Sequence, residues 1–173
     1  MLFVFEIGAF VVYGSGGIFR IDDIRNENFG GAIRKYYVMK SVGDTAATTI
    51  FVPTDNEMLV SRMKPMISQK EIEALISDMP LEPIEWQNDT KVRSECFRKI
   101  IEGGDRRELL RLMRTVYVKK QELAASGKRV YAADENAMKR AERIIFDEFS
   151  AVLGVADDEI IKMIASVADS KTA

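Results

Sequence analysis

Phe10-Val-Val-Tyr13, Gly14-Ser-Gly-Gly17 and Ile18-Phe-Arg-Ile-Asp-Asp-Ile24 form one continuous stretch that decides the first half of the fold. The apolar run before the glycines is typical of a strand, and glycine supplies the positive φ angles of a tight turn. A phosphate-binding loop is the alternative for the glycines, but such a loop precedes a helix and ends in Lys-Ser or Lys-Thr. We therefore predict a β-hairpin.

Three more short runs follow before residue 65. Arg34-Lys-Tyr-Tyr-Val-Met-Lys40 and Thr48-Thr-Ile-Phe-Val52 are predicted as the third and fourth strands, after a loop over residues 26–31. Pro53 ends the fourth strand because proline cannot donate to a ladder. Met58 to Arg62 is predicted as the fifth strand. Five short strands at this spacing favour a small Tudor-like or SH3-like β-barrel, in which curling protects the sheet edges.

After Pro65 the apolar pattern takes the helical period. Ser68-Gln-Lys-Glu71 is a capping box, which predicts a helix from there to about Met79. Further helices are predicted to begin near Trp86, Asp105, Asp134 and Asp157, and residues 168–173 are predicted to fray.

The fold class predicted from these two patterns is α+β. Residues 1–65 form the five-stranded barrel, residues 66–87 form a connecting helix and a proline-containing linker, and residues 88–173 form an all-α helical bundle.

Composition excludes most catalytic chemistry. The chain of 173 residues has no histidine and one cysteine, so His-based nucleophile pairs, zinc sites and internal disulfides are ruled out. Cys96 lies on an apolar helical stripe, which favours a packing role over a nucleophile. We predict a protein that is not an enzyme and uses no cofactor or metal.

The start of the chain is apolar, but it lacks a basic region and Glu6 interrupts it. No apolar run approaches the length of about 18 residues that a membrane span needs. We read the start as the first strand and predict a cytoplasmic, monomeric protein without a membrane partner.

Charge is unevenly distributed along the chain. Residues 88–131 carry twelve basic and six acidic side chains, a net charge of +6, whereas residues 66–87 and 132–173 each carry −4. This concentration is what binding to phosphates requires. The alternative is a solvated, Lys/Arg-rich helical face, and the charge count alone does not decide between them.

Trp86 is the one tryptophan and directly precedes the basic stretch. Its spacing favours a packing anchor. The alternative is an apolar wedge, which minor-groove proteins insert between base steps.

The organisation resembles the CarD family of bacterial regulators that bind RNA polymerase. The resemblance extends over the whole chain and is carried by Ile7-Gly-Ala-Phe-Val-Val-Tyr-Gly-Ser-Gly-Gly17, Tyr36-Tyr-Val-Met-Lys40, Phe51-Val-Pro-Thr-Asp-Asn56, Trp86, Gly104-Asp105, Asp134-Glu135, Phe146-Asp-Glu-Phe149 and Leu153. The segments Glu102 to Leu109 and Lys119 to Leu123 look most like those of members from anaerobic Gram-positive bacteria.

The resemblance implies that the barrel binds the RNA polymerase β subunit by strand addition. The residues it implies for this contact are Arg34, Tyr36, Ile50, Phe51, Val52 and Pro53. It also implies that the helical domain binds promoter DNA at the upstream edge of the transcription bubble and stabilises the open complex. Trp86 would enter the minor groove, which now favours the wedge, and the predicted DNA-binding residues are Trp86, Lys91, Arg93, Arg98, Lys99, Lys119 and Lys120.

Two positions depart from the family pattern. Phe51 stands where the best-known members have a basic residue, so an apolar contact would replace a charge pair with polymerase. Gln87 to Thr90 separates Trp86 from the first basic side chains, whereas those members have arginines directly after the tryptophan. A rival hypothesis is a protein-interaction module that binds polymerase or a repair factor without touching DNA.

Overall fold

The first half of the chain forms an antiparallel β-sheet. The computed structural model describes residues 4–14, 17–43 and 47–172. The chain divides into two compact units, residues 1–66 and residues 67–173. The elements of the first unit are β1 Phe10–Tyr13, β2 Ile18–Phe29, β3 Ala32–Ser41, β4 Thr49–Pro53, a helical turn α1 Glu57–Val60, and β5 Met63–Pro65.

The five described strands lie in the order β4-β3-β2-β1-β5, and all pairings are antiparallel. Alternation along the strands directs one face into an apolar core that includes Val11, Ile21, Met39, Val52 and Met63, each at most 1% exposed. The prediction of a five-stranded sheet followed by a helical half is confirmed.

The loop predicted at residues 26–31 is wrong. β2 and β3 continue to pair as far as Phe29 and Ala32, and only Gly30 and Gly31 turn the chain, with φ of 66° and 87°. Two successive positive φ angles match the twist of a hairpin, and glycine adopts them without strain. Polar residues such as Asn26 and Asn28 imitate a loop because this end of the hairpin is largely exposed.

The fifth strand is also displaced from its predicted place at Met58 to Arg62. Residues 57–60 form a helical turn, because the Asn56 side chain accepts a hydrogen bond from Leu59 N at 3.1 Å and caps it. The strand that pairs with β1 is Met63–Pro65.

The chain start is described from Val4, and the first strand begins only at Phe10. Phe5 is nevertheless buried and contacts Tyr37 edge to face, with ring centroids 6.2 Å apart. The predicted turn at Gly14-Ser-Gly-Gly17 includes residues 15 and 16, which lie outside the described residues. Beside them, Tyr13 N donates to Gly17 O at 3.1 Å.

The second unit is helical. Its elements are α2 Gln69–Ser77, α3 Thr90–Gly103, α4 Arg106–Ala125, α5 Ala132–Leu153 and α6 Asp157–Thr172. The core of this unit includes Leu109, Leu112, Ile145 and Phe149, all fully buried. The segment over residues 67–81 contributes five more side chains to the same core: Ile67, Ile72, Ile76, Met79 and Leu81.

Most helix ends agree with the capping signals. The reciprocal Ser68 and Glu71 capping box is present, Gly104 has the left-handed conformation at φ 65°, and Asp105 caps α4. The helix predicted near Trp86 starts at Thr90, after its cap Asp89. The predicted fraying is wrong, because α6 continues as far as Thr172.

No helix in the described part of the chain is both long and apolar enough to cross a membrane.

Candidate functional site

Strand β4 is an edge strand of the sheet in the order β4-β3-β2-β1-β5. The hydrogen bonds to β3 show which of its backbone groups point away from the sheet. Ser41 N donates to Thr48 O, and Thr54 N donates to Lys35 O, both at 2.9 Å. Because bonded and non-bonded pairs alternate along an antiparallel ladder, Ile50 and Val52 bond to β3, whereas the N–H and C=O groups of Thr49 and Phe51 point away from it. No partner for these four groups occurs among the residues that the structure describes.

Three aromatic side chains cluster beside this edge. Phe29 at the hairpin tip lies with its ring centroid 5.2 Å from those of both Tyr36 and Phe51, each pair being edge to face. The cluster occupies the sheet face opposite the core, because Tyr36 and Phe51 alternate with the inward-facing Tyr37 and Val52. Phe29 remains 50% exposed, so the cluster presents an apolar surface to solvent.

The six residues predicted for polymerase binding separate into two groups. Arg34, Tyr36, Phe51 and Pro53 lie on the aromatic face of the sheet. Ile50 and Val52 face the core and direct their backbone groups to β3, so neither their side chains nor their backbone face outward at the edge. Sequence reasoning missed Phe29, because the long hairpin that brings it to Phe51 was read as a loop.

In the helical unit, Arg93 is an interior side chain. It is 2% exposed and forms a bidentate ion pair with Asp134, in which Nε and Nη2 each donate to a carboxylate oxygen at 2.8 Å. Nη1 donates to Gln87 O at 2.7 Å. The hydrogen bonds to Asp134 raise the pKa of the guanidinium. Arg93 is therefore committed to the protein interior, and we leave it out of the DNA surface proposed below.

Trp86 is partly buried and contacts two cations. Its ring lies edge to face with Phe97 at 6.5 Å and packs against the helical core. The Arg93 guanidinium carbon lies 4.3 Å from the ring centroid, and Lys119 Nζ lies 5.2 Å from it. These distances lie within the range of cation–π contacts. Trp86 is therefore packed against the core as an anchor would be, while it remains partly exposed, and its role as a wedge in DNA stays a prediction.

The outer face of α3 carries Lys91, Arg98 and Lys99, all exposed. Arg98 donates to both Glu95 and Glu102 at 2.6 Å, and these hydrogen bonds raise the pKa of its guanidinium. Arg98 and its two carboxylate partners together carry a net charge of −1. Lys91 and Lys99 are thus the stronger candidates for phosphate contacts on this helix.

A second group of cations lies on α4 and includes Lys119, which contacts Trp86. Lys119 pairs with Glu122 at 3.3 Å, and Lys120 pairs with Glu135 at 3.1 Å, a hydrogen bond that lowers the pKa of Glu135. Tyr131, which is 66% exposed, has its ring centroid 5.8 Å from the Arg93 guanidinium carbon. Sequence reasoning missed Tyr131 and the role of Asp134. The available signal was Arg93 itself, since it lies one helical turn before Phe97 on the buried face and requires a carboxylate partner.

An apolar cavity of about 390 Å³ lies among α4, α5 and α6. It contains few polar groups; one of them is Glu142, whose pKa is raised by burial. Among the described residues, no group of three or more His, Cys, Asp or Glu side chains is placed to hold a metal ion.

The fold defines a two-part α+β protein, with an antiparallel sheet in which the outward backbone groups of Thr49 and Phe51 have no partner among the described residues, and a helical unit with a cation-flanked tryptophan. Residues 5–64 match the CarD-like/TRCF RID domain. The chain therefore carries a CarD-like/TRCF RID domain at its N terminus, consistent with the CarD family that its sequence resembles. CarD-like proteins are non-enzymatic regulators that bind RNA polymerase, in agreement with the prediction that this protein is not an enzyme. No curated protein matches the chain.

Proposed function

We propose that this protein is a transcription regulator that binds the β subunit of RNA polymerase through its N-terminal unit. Through its helical unit it binds promoter DNA at the upstream edge of the transcription bubble and stabilises the open complex. The observation that carries the proposal is the CarD-like/TRCF RID domain over residues 5–64, because this domain type interacts with RNA polymerase.

The sheet edge supports the polymerase contact. The outward N–H and C=O groups of Thr49 and Phe51 offer an incoming strand the donors and acceptors that strand addition requires. The adjacent rings of Phe29, Tyr36 and Phe51 provide an apolar surface for side chains of that strand. Phe51 is one of these rings, and we expect it to make an apolar contact with polymerase.

The surface around Trp86 supports the DNA contact. Trp86 is partly exposed beside Lys119, and Lys91, Lys99, Lys119 and Lys120 supply cations for the phosphate backbone. Such contacts position a protein on DNA without reading its sequence, so we expect a weak sequence preference.

A protein-interaction module without DNA contact is the second candidate. The observation that favours it is that several cations of the basic stretch already have acidic partners. Arg98 pairs with Glu95 and Glu102, Arg107 with Asp78, and Arg111 with Glu108. Surface pairs of this kind reduce the positive field available to phosphates.

Thr49→Pro tests strand addition at β4. The Thr49 N–H points away from β3, so proline removes one donor to an incoming strand without removing a bond of the β3–β4 ladder. We expect the affinity of the full chain for cognate RNA polymerase to fall about five- to ten-fold, the worth of about one hydrogen bond. The measurement is surface plasmon resonance with purified polymerase.

Thr49→Val is the matched control, since it keeps the backbone donor, and its affinity should equal that of the wild type. Equal binding by the proline variant, with an unchanged melting temperature, would exclude β4 as the docking strand.

Trp86→Ala tests the role of the tryptophan at the bubble. Because the ring is partly buried, we expect the free energy of unfolding to fall by about 1–3 kcal/mol, less than for a fully buried aromatic side chain. We also expect the variant to retain polymerase binding while it shortens the lifetime of open promoter complexes. Unchanged lifetimes on a promoter where the wild type extends them would remove Trp86 from the DNA contact.

A further inference from the structure

The buried guanidinium of Arg93 contacts two aromatic residues, Trp86 and Tyr131. The guanidinium carbon of Arg93 lies 4.3 Å from the Trp86 ring centroid and 5.8 Å from that of Tyr131, although these rings are 45 positions apart in the sequence. The same group holds Asp134 through two bonds and Gln87 O through a third. Three segments of the chain therefore meet at one side chain.

The two aromatic residues are anchored differently, because Trp86 lies outside the helices whereas the Tyr131 carbonyl accepts from Asp134 N and Glu135 N of α5, both at 3.1 Å. Trp86 lies in the segment that precedes α3, and Tyr131 is the N-cap residue of α5 without a side-chain cap bond. Arg93 lies inside α3, and Asp134 lies in the first turn of α5, so the backbone of each helix fixes one partner of the ion pair. The pair therefore connects Trp86, through its contact with Arg93, to residues whose backbone lies in α3 and α5.

Stability alone does not account for this arrangement. A buried ion pair loses hydration on both partners, and apolar replacement of such pairs is often neutral or stabilising. A bidentate pair fixes the relative position of its two side chains, because the planar guanidinium can donate both hydrogen bonds only to a carboxylate in a narrow range of positions.

We propose that Arg93 and Asp134 are positioning residues for DNA binding, which hold Trp86 and Tyr131 against one guanidinium so that both rings meet DNA in a fixed arrangement. This inference rests on the proposed DNA contact. Arg93 acts through the two rings and does not touch DNA itself, because its side chain is 2% exposed.

The first test uses Arg93→Lys in the full chain. Lysine keeps the charge but loses the bidentate fork and the bond to Gln87 O. Trp86 is the only tryptophan, so its fluorescence reports this site alone. We expect greater quenching of Trp86 by acrylamide. We also expect a three- to ten-fold loss of affinity for a fork DNA with a junction of double and single strands, which corresponds to the cost of immobilising about one side chain on binding.

Arg106→Lys is the matched control. Arg106, in the first turn of α4, forms a second bidentate pair in the helical unit, with Nε donating to Glu148 at 3.0 Å and Nη2 at 2.5 Å; its side chain is 23% exposed and that of Glu148 is 3% exposed. A purely structural role predicts that both variants lower the melting temperature and affect DNA binding alike. The proposal predicts that only Arg93→Lys changes Trp86 quenching and DNA affinity.

A second variant combines Arg93→Met with Asp134→Leu, which replaces the pair by apolar side chains and is expected to fold. Its DNA affinity should fall as for Arg93→Lys, whereas the slope of log affinity against log salt should equal that of the wild type. A slope lower by about one unit would show that Arg93 contacts a phosphate directly and would overturn the proposal.

Unchanged Trp86 quenching in both variants would also overturn it. If the wild type itself does not bind fork DNA, the proposed DNA contact fails. In that case increased quenching still shows that the pair positions the ring, while the role in DNA binding is rejected.

Discussion

Asp134→Ala lowers the free energy of unfolding of the helical unit by about 3–5 kcal/mol. Both partners of the Arg93–Asp134 pair are at most 2% exposed, so the substitution leaves a guanidinium without its carboxylate in the interior. Water cannot solvate that charge without opening the contact between α3 and α5. We expect this to be the largest stability effect among the single substitutions considered above.

Urea unfolding of the full chain, followed by circular dichroism and by Trp86 fluorescence, measures this loss. Asp158→Ala is the control, because Asp158 forms an ion pair with Lys162 at 3.6 Å while its side chain is 70% exposed. Exposed pairs contribute little, so we expect hardly any change there. Similar unfolding curves for both variants would show that the Arg93–Asp134 pair is hydrated in solution.

Among the proposed substitutions, we expect the simultaneous replacement of Lys119 and Lys120 by glutamate to weaken DNA binding most. Both lysines lie on α4, and Lys119 Nζ is 5.2 Å from the Trp86 ring centroid. Loss of two phosphate contacts should flatten the slope of log affinity against log salt by about two units and weaken binding at low salt by at least ten-fold. Fluorescence anisotropy with labelled duplex DNA over a salt series measures both quantities.

The control for this experiment replaces Arg143 and Lys162 together by glutamate, which reverses both charges. It changes the net charge by the same amount, and both side chains are 77% exposed and lie on α5 and α6. The proposed surface predicts a normal salt slope for the control. Equal slopes for the two double variants would favour the protein-interaction module.

Local sequence patterns predict some strands of the sheet and miss others. Alternation and the glycine turn predict β1 and β2, because adjacent residues determine which backbone angles are accessible. The hairpin tip was missed because Asn26 and Asn28 belong to exposed strands, where composition does not distinguish a strand from a loop. The shift of the fifth strand to Met63–Pro65 has a related cause, since the Asn56 cap closes a helical turn within an apolar run.

For the candidate DNA surface, the sequence shows which residues are basic but not which of them are buried or paired. The concentration of basic residues in positions 88–131 was visible in the sequence, and so was Trp86 beside it. The sequence did not show that Arg93 is buried, or that the exposed Arg98 is paired with two glutamates. The linker over residues 66–87, the DNA-binding residues, the monomeric state and the type of source organism stay predictions.

The sequence by itself determined the α+β class, the hairpin, the capped helix at Ser68, the helix ends at Gly104 and Asp105, and the absence of histidine chemistry. These features depend on neighbours within a few positions or on composition alone. Only the tertiary structure decided that Arg93 and Asp134, 41 positions apart, form one buried pair, and that the backbone of Thr49 and Phe51 faces outward. Burial and strand register are set by the packing of distant segments, which no local pattern encodes.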